Sequence, residues 1–290
     1  MARTGFISDT DMKTKSGKTA FFLVAAMLVI FTLICFIPSL WMMLSSIKDA
    51  DEFYAVPPTF IPKKVDLAKI PAVFNKLNFV RYYWNTVIVA AGSAVFAIVP
   101  NAVTAYVLAH IKPKGAKLAF SIILAAYMIP GTIYMVPTYM NMINFPLLHI
   151  SLVNTYWPMW LMAGASAFNI ILFKGFFQGI PVSLLEAAKL DGCGEVGALL
   201  HIITPLSKPV MMTVLILTIQ AAWGDFFWPM ILLKDEKTRT VMVAINGIKN
   251  QIANDQLVVA LSITAIPPII FFLIFQKYIM NGFSMSGIKG

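Results

Sequence analysis

The chain has 290 residues, of which 59% are hydrophobic and 12% are charged, and its formal net charge is +9. Soluble domains carry about 25% charged residues, so this composition excludes an ordinary soluble domain and predicts a protein embedded in a membrane. The basic residues stand singly or in small groups at the ends of apolar runs. A nucleic-acid-binding surface would instead need a basic stripe with interleaved aromatic residues, so that class of protein is excluded.

Six apolar runs follow one another, and they approach or exceed the roughly 20 residues that a helix needs to cross a bilayer. We therefore predict an all-α polytopic membrane protein with six transmembrane helices in one domain, residues 19–280, flanked by polar tails at 1–18 and 281–290. The first run is too long for the apolar part of a signal peptide and is expected to be a retained span. The predicted spans are 19–46, 83–110, 118–140, 153–173, 210–233 and 257–278.

The short connections give the orientation. The N-terminal tail carries four basic residues, the connection 111–117 carries Lys112, Lys114 and Lys117, and the connection 141–152 carries none. The excess of Lys and Arg on the cytoplasmic side of membrane proteins predicts that both termini, the connection 111–117 and the loop 183–209 are cytoplasmic.

Two polar segments are then expected outside the membrane. The segment 49–81 contains four prolines, which break any long helix and predict short irregular or helical pieces at the membrane surface. The segment 234–256 is rich in Asn and Gln. Each segment is either a plain solvated loop or a contact surface for an extracytoplasmic partner.

The loop 183–209 is the most informative stretch of the sequence, because it is compact and polar between two long apolar runs. Ser183 and Glu186 have the spacing of a capping box, in which each side chain binds the backbone amide of the other residue. This pattern predicts a helix over 184–191. Gly192 follows at the position where a left-handed residue ends a helix at little cost.

A second short helix is predicted over 195–204, ending before Pro205, and Pro209 is expected to open the fifth span. The first helix is amphipathic, and its small residues Ala187 and Ala188 leave room for the backbone of a partner. Such a helix either docks in a groove of a soluble protein or lies at the lipid interface.

The same loop resembles the EAA signature of bacterial ABC importer permeases, which reads EAA, three residues, G, nine residues, I-x-L-P. The match spans twenty residues and has one departure, Thr204, at the position where leucine is usual. The matching residues are Glu186, Ala187, Ala188, Gly192, Ile202 and Pro205.

Nearly the whole chain resembles the carbohydrate-uptake permeases of the maltose and multiple-sugar type, and in particular their second six-helix subunit. The resemblance rests on the six-span plan, the proline-rich segment after the first span, the run Trp223-Gly224-Asp225-Phe226 and the tail 282–290. Gly224 stands where asparagine is usual, which puts any role of that side chain in doubt here.

The resemblance implies a subunit of an importer in the bacterial inner membrane that moves a sugar or oligosaccharide. It implies a heterodimer with a second permease subunit, two cytoplasmic ABC ATPase subunits that bind ATP and Mg, and an extracytoplasmic solute-binding protein. The chain itself would be no enzyme and would hold no cofactor or metal. The residues implied to couple it to the ATPases are Ser183, Glu186, Ala187, Ala188, Asp191 and Gly192.

Few polar side chains interrupt the apolar runs, and these are the candidates for a substrate path. Asp225 is the foremost, since an ionisable group inside a span is a functional candidate by default. Its alternative is a structural pair with another helix. The weaker candidates are Trp223, Gln220, Asn169 and Asn101.

Other functions fit the sequence less well. The run Ser16-Gly17-Lys18-Thr19 ends like a phosphate-binding loop, but Met12 replaces the required glycine, so ATP chemistry must come from another chain. An ABC permease for a non-sugar solute stays open as an alternative. A secondary transporter driven by an ion gradient predicts intramembrane acids or bases and inverted repeats, neither of which is clear. A non-transporting scaffold leaves the polar loop unexplained.

Overall fold

The computed structural model describes residues 14–76, 78–146 and 148–286. The predicted tails lie partly outside these ranges, at 1–13 and 287–290. Within the described residues, the first helix already begins at Lys15 and the last continues to Ser286.

The α-helices are α1 (Lys15–Ser46), α2 (Ala50–Phe53), α3 (Lys69–Lys76), α4 (Phe79–Tyr106), α5 (Ala116–Met128), α6 (Met135–Ile143), α7 (Trp157–Gly164), α8 (Ala167–Phe177), α9 (Val182–Leu190), α10 (Glu195–Ala198), α11 (Thr204–Leu206), α12 (Lys208–Gly224), α13 (Phe227–Leu232), α14 (Val241–Ile248) and α15 (Asn254–Ser286).

Three helices of the described residues are long and apolar enough to cross a membrane: α1, α4 with its continuation to Ile111, and α15. Two bent pairs raise this number to five when each pair is counted as one span, α7 with α8 and the run Glu195–Leu206 with α12. The shorter apolar helix α5 lies in the third predicted run. The fold is therefore helical as predicted, and the count of six spans stays a prediction.

The helix is interrupted within each of the third, fourth and fifth predicted runs. The third breaks at Ile129, which is extended, because a residue before proline avoids the helical region. The fourth restarts at Ser166, whose hydroxyl accepts the Asn169 amide at 3.3 Å. The fifth breaks at Asp225, which is extended and whose carboxylate accepts the Trp228 amide at 3.4 Å.

The described residues fall into two compact units, 14–73 with 251–263, and 74–250 with 264–286. In the first unit, the predicted proline-rich segment is ordered by buried polar contacts. Lys48 is only 2% exposed and its ammonium donates to the Thr59 carbonyl. The Lys69 ammonium lies 2.7 Å from the Asp255 carboxylate and 2.8 Å from the Lys48 carbonyl.

Glu52 holds together the turn that follows α2. Its carboxylate accepts hydrogen bonds from the Thr59 hydroxyl at 2.6 Å and from the amides of Lys63 and Lys64 at 2.9 and 2.8 Å. These donors favour the charged form, and the Thr59 hydroxyl, followed by the two amides, lowers the pKa of Glu52 to about 2. The short helices α2 and α3 confirm the prediction of short helical pieces here.

In the second unit, α4 is the central helix and packs against α7, α8, α12 and α14. One face of α4 is small, which lets its neighbours come close: Ala90, Ala94, Ala97 and Ala105 are all buried. Gly92 is the point of closest approach. A Cβ added there would overlap the indole of Trp160 on α7.

The segment 234–256 is no plain solvated loop, because it contains the partly buried helix α14. The Asn85 amide donates to the carbonyls of Lys237 and Arg239 at 2.9 and 2.8 Å. The Val241 amide donates to the Thr86 hydroxyl at 3.0 Å. Eight residues are too few for a span, so the apolar run of α14 gave no membrane signal in the sequence.

We expect Gly92→Ala to destabilise the protein by roughly 1–3 kcal/mol, because overpacking forces a shift of a large side chain. Gly175→Ala on α8 is the matched control, since no atom lies within 4 Å of its added Cβ. Thermal unfolding of both variants in detergent measures the difference. Equal melting temperatures for the two variants would show that the contact between α4 and Trp160 is not tight.

The depressed pKa of Glu52 makes its contribution to stability depend on pH. The folded pKa of about 2 lies below the ordinary 4.5, so the stabilisation is complete above about pH 5 and is lost as pH falls toward 2. The difference in melting temperature between wild type and Glu52→Gln should shrink over this window. A difference that stays constant down to pH 2 would contradict the assignment. Thr59→Val removes the hydroxyl that donates to Glu52, so it should narrow the pH range over which the stabilisation by Glu52 is lost.

Candidate functional site: the loop 181–209 and the central cavity

Helix α9 begins at Val182, with Pro181 as its N-cap and no capping hydrogen bond from a side chain. The predicted capping box between Ser183 and Glu186 is therefore wrong. The Pro181 carbonyl accepts the Leu184 amide at 3.2 Å, which places Ser183 inside the first turn. A capping side chain must precede that turn.

The end of α9 follows the prediction. Gly192 has a φ of 80°, the left-handed conformation that only glycine adopts without strain. Its amide donates to the Lys189 carbonyl at 3.1 Å, and the Cys193 amide donates to the Ala188 carbonyl at 2.9 Å. These two bonds form a Schellman motif, which turns the chain sharply after Asp191.

The inner face of α9 packs against the hydrophobic core of the second unit. Leu185 is 6% exposed and belongs to a buried core cluster. The cluster also contains Phe173 and Phe177 of α8, Ala105 of α4 and Val214 of α12. Ala188 is also buried. The side chain of Ala188 is therefore covered by this chain itself, and its role in coupling stays a prediction.

The outer face of α9 is free. Glu186, Ala187 and Asp191 are exposed, and Leu190 is 89% exposed at the end of the helix. An apolar side chain so exposed is informative when other exposed apolar residues accompany it, and Val196, six residues further along the chain, is 70% exposed. Sequence reasoning missed Leu190, although its position one turn after Glu186 on the polar side was a usable signal.

The second helix continues past Pro205, contrary to the prediction that it ends before this residue. A π-helical turn over Leu199–Ile203 separates α10 from α11, which contains Pro205. The Thr204 hydroxyl donates to the Leu199 carbonyl at 2.8 Å, so the threonine that replaces the usual leucine binds the backbone of this turn. The chain then bends by 77° into α12, whose first turn contains Pro209 as predicted.

A chain of polar contacts connects α9 to the end of α4. The Tyr106 hydroxyl donates to the Glu195 carboxylate at 2.9 Å, and the Lys189 ammonium lies 2.6 Å from the other oxygen of that carboxylate. Tyr106 is only 2% exposed, whereas the ion pair is largely exposed. An exposed pair alone stabilises little, so the buried tyrosine gives this link its rigidity.

The second unit contains an open cavity of about 540 Å³ between α4, α7, α8, α12 and α13. Its walls are mostly apolar, and the breaks in the fourth and fifth runs face it. This is the usual composition of a small-molecule site, in which a few polar groups orient a ligand. The side chains with polar atoms along its wall are Ser93, Ser166, Asn169, Thr218, Asp225 and Trp228.

Two of the five candidates for a substrate path, Asp225 and Asn169, line this cavity. Two others make structural hydrogen bonds elsewhere. The Trp223 indole donates to the Thr264 carbonyl at 3.1 Å, and the Asn101 amide donates to the carbonyls of Ala97 and Ala163 at 2.9 and 3.1 Å. Gln220 is partly buried on α12 and lies outside the lining.

The cavity and the loop 181–209 share helix α4. Ser93 lies near the middle of the span Phe79–Ile111, and Tyr106 lies thirteen residues further on, which corresponds to about 20 Å along a helix axis. One rigid element thus connects the cavity wall to the residue that binds Glu195.

Comparison with known proteins agrees with this architecture. The family described as binding-protein-dependent transport system inner membrane component matches residues 95–284. The chain belongs to this family. It is also 31% identical to the probable ABC transporter permease protein YurM of Bacillus subtilis, over 87% of this chain and 83% of that protein.

Further relatives cover nearly the full length of this family member. The arabinooligosaccharides transport system permease protein AraQ of Bacillus subtilis is 27% identical over 94% of this chain and 95% of its own. The crystal structure of a bacterial ABC transporter involved in the import of the acidic polysaccharide alginate contains a chain with a TM-score of 0.79 at 25% identity. The match covers 92% of this chain and 98% of the chain from the alginate importer.

Proposed function

We propose that this permease is one of two membrane subunits of an ATP-binding-cassette importer for a sugar or oligosaccharide. An extracytoplasmic binding protein delivers the substrate, and two partner ATPase subunits bind ATP and Mg and supply the energy. In this proposal both termini and the loop 181–209 are cytoplasmic, and the segments 49–81 and 234–256 face the binding protein.

The relatives support a saccharide as the substrate. Beside the arabinooligosaccharide permease, they include the melibiose, raffinose and stachyose import permease MelC of Bacillus subtilis and the trehalose and maltose permease MalG of Thermococcus litoralis, each 28% identical over 88% and 90% of this chain. These proteins differ in sugar but share the chain from end to end. A common saccharide chemistry is the simplest reason for this pattern.

The division of α9 into two faces is the observation that carries the coupling role. Its inner face is fixed in the core through Leu185, and its outer face presents Glu186, Ala187 and Leu190 to solvent. A short helix held in this way fits a groove of a partner, where exposed apolar side chains become buried anchors. We assign that groove to an ATPase subunit.

Motion of α9 would reach the cavity through α4. The Lys189–Glu195–Tyr106 contacts hold α9, α10 and the end of α4 together. A displacement imposed on α9 by the ATPase therefore moves α4, whose Ser93 belongs to the cavity wall. We propose that Asp225 and Asn169 contact the saccharide in this cavity.

The chain supplies binding and movement in this scheme and no bond-breaking chemistry. ATP hydrolysis belongs to the partner subunits, and each cycle would alternate the cavity between the two sides of the membrane. Substrate is then moved by repacking around a fixed site, as in other transporters with broken helices.

Leu190→Ala should uncouple the importer while leaving the permease folded. Loss of an exposed anchor changes stability by no more than about 0.5 kcal/mol. Loss of roughly 1.4 kcal/mol at the interface would weaken ATPase docking about tenfold. Reconstituted complexes should show a reduced uptake of saccharide at saturating ATP and a weaker capture of the ATPase. Glu186→Ala should act in the same direction.

Leu148→Ala is the matched control for Leu190→Ala, because Leu148 is also an exposed leucine, in the connection between α6 and α7. It should leave ATPase capture and uptake unchanged. Normal ATP-driven uptake in both Leu190→Ala and Glu186→Ala would rule out α9 as the docking helix.

Tyr106→Phe tests the link between α9 and α4, since it removes only the hydroxyl that binds Glu195. A hydrogen bond to a charged group contributes roughly 1.5–3 kcal/mol. We expect at least about a threefold fall in saccharide transported per ATP hydrolysed, with ATPase capture intact. Tyr127→Phe, at an exposed tyrosine of α5, is the control. An unchanged ratio in Tyr106→Phe would remove this link from the coupling path.

A further inference from the structure

The central cavity has one acidic side chain in its wall. Asp225 is the one ionisable side chain among the described residues that line it. We propose that the cavity selects uncharged saccharides and rejects acidic ones, and that Asp225 sets this preference. The inference rests on the proposed function, in which the cavity lies on the saccharide path.

The charge of Asp225 is held in place by the fold. The residue is extended between α12 and α13, and one carboxylate oxygen accepts the Trp228 amide at 3.4 Å. The structure shows no cationic partner for it within ion-pair distance, as far as the described residues extend. An uncompensated carboxylate in an apolar surrounding acts over a longer distance than one in water.

The helix ends at the cavity do not cancel this charge. The C-terminal ends of α7 and α12 lie in the wall, at Ala163 and Gly224, and carry partial negative charges. The N-terminal ends of α8 and α13 lie there too, at Asn169 and Trp228, and carry partial positive charges. These partial charges offset one another, so the full charge of Asp225 decides the sign.

An uncharged saccharide fits the remaining chemistry of the wall. Its hydroxyl groups can donate to the Asp225 carboxylate in charge-assisted hydrogen bonds, and they can both donate to and accept from Asn169, Ser93 and Thr218. The rings of Phe168 and Trp228 add apolar surface to the wall. A uronate would bring its own carboxylate into this site, where it would meet a like charge.

The alginate importer shows that the charge of the substrate is not set by the fold. That protein takes part in the import of an acidic polysaccharide, and one of its chains has the fold of this permease at a TM-score of 0.79. The fold therefore leaves the charge of the substrate open. The side chains of the cavity wall must decide it.

The test measures binding of two pentasaccharides to the assembled transporter in nanodiscs, by saturation-transfer-difference NMR. Maltopentaose is the uncharged probe and pentaguluronate is the acidic one. The dissociation constant should be on the order of ten- to thirtyfold lower for maltopentaose, the discrimination that one like charge gives at about 8 Å and an effective dielectric constant of about 20. Asp225→Asn should abolish most of this ratio.

Gln178→Glu adds a charge at an exposed position at the end of α8, outside the cavity lining, and should leave the ratio unchanged. Asn169→Asp adds a second carboxylate to the wall and should increase the ratio, which keeps the test decisive if Asp225→Asn fails to fold. Equal binding of both probes to the wild type, or a ratio unaffected by Asp225→Asn and Asn169→Asp, would overturn the inference. If the reconstituted importer took up no saccharide at all, the proposed function would fail as well.

Discussion

A break in a helix inside a membrane is tolerated only where the freed backbone groups find partners in the protein or face a polar cavity. This constraint organises the second unit of the permease. Ser166 binds the first turn of α8 and Asp225 binds the first turn of α13, so each break supplies its own cap. Both breaks lie in the wall of one cavity. The site is therefore a consequence of where the helices are interrupted, and its polar groups are the same ones that make the interruptions stable.

The loop 181–209 depends on a different requirement, which is a rigid packing contact with the core. Leu185 is fixed by Phe173 and Phe177 of α8, and the Schellman motif at Gly192 fixes the end of α9. Both contacts make α9 rigid where it meets the core. The buried Tyr106 connects this loop to α4 through its hydrogen bond to Glu195.

The sequence predicted the helical class, the family, the apolar runs and the end of α9, because hydrophobic length and a glycine in the left-handed region are local signals. It did not predict the breaks at Ser166 and Asp225, since their stability comes from a cap and a cavity that only the packed bundle creates. The capping box failed for a related reason. The pattern of Ser183 and Glu186 is local, but Pro181 starts the helix earlier and moves both residues inside it.

Among the predicted polar residues, tertiary contacts decided which ones reach the cavity. Asn101 and Trp223 carry hydrogen-bond donors as Asn169 does, yet these donors are taken by the carbonyls of Ala163 and Thr264. Composition cannot separate a polar group that ties helices together from one that faces a ligand. The link from Lys189 through Glu195 to Tyr106 was equally hidden, because it joins residues 89 positions apart along the chain.

The two faces of α9 also separate the packed core from the exposed surface of the loop. A substitution at Leu185 acts on the core, and one at Leu190 acts on a surface that the chain itself leaves open. Thr204 stands where the EAA signature usually has leucine. Its hydroxyl donates to the Leu199 carbonyl within the π-helical turn. The chain still passes through Pro205 into the bend before α12. The turn is thus held by a hydrogen bond from a side-chain hydroxyl to the backbone, which a leucine at this position could not donate.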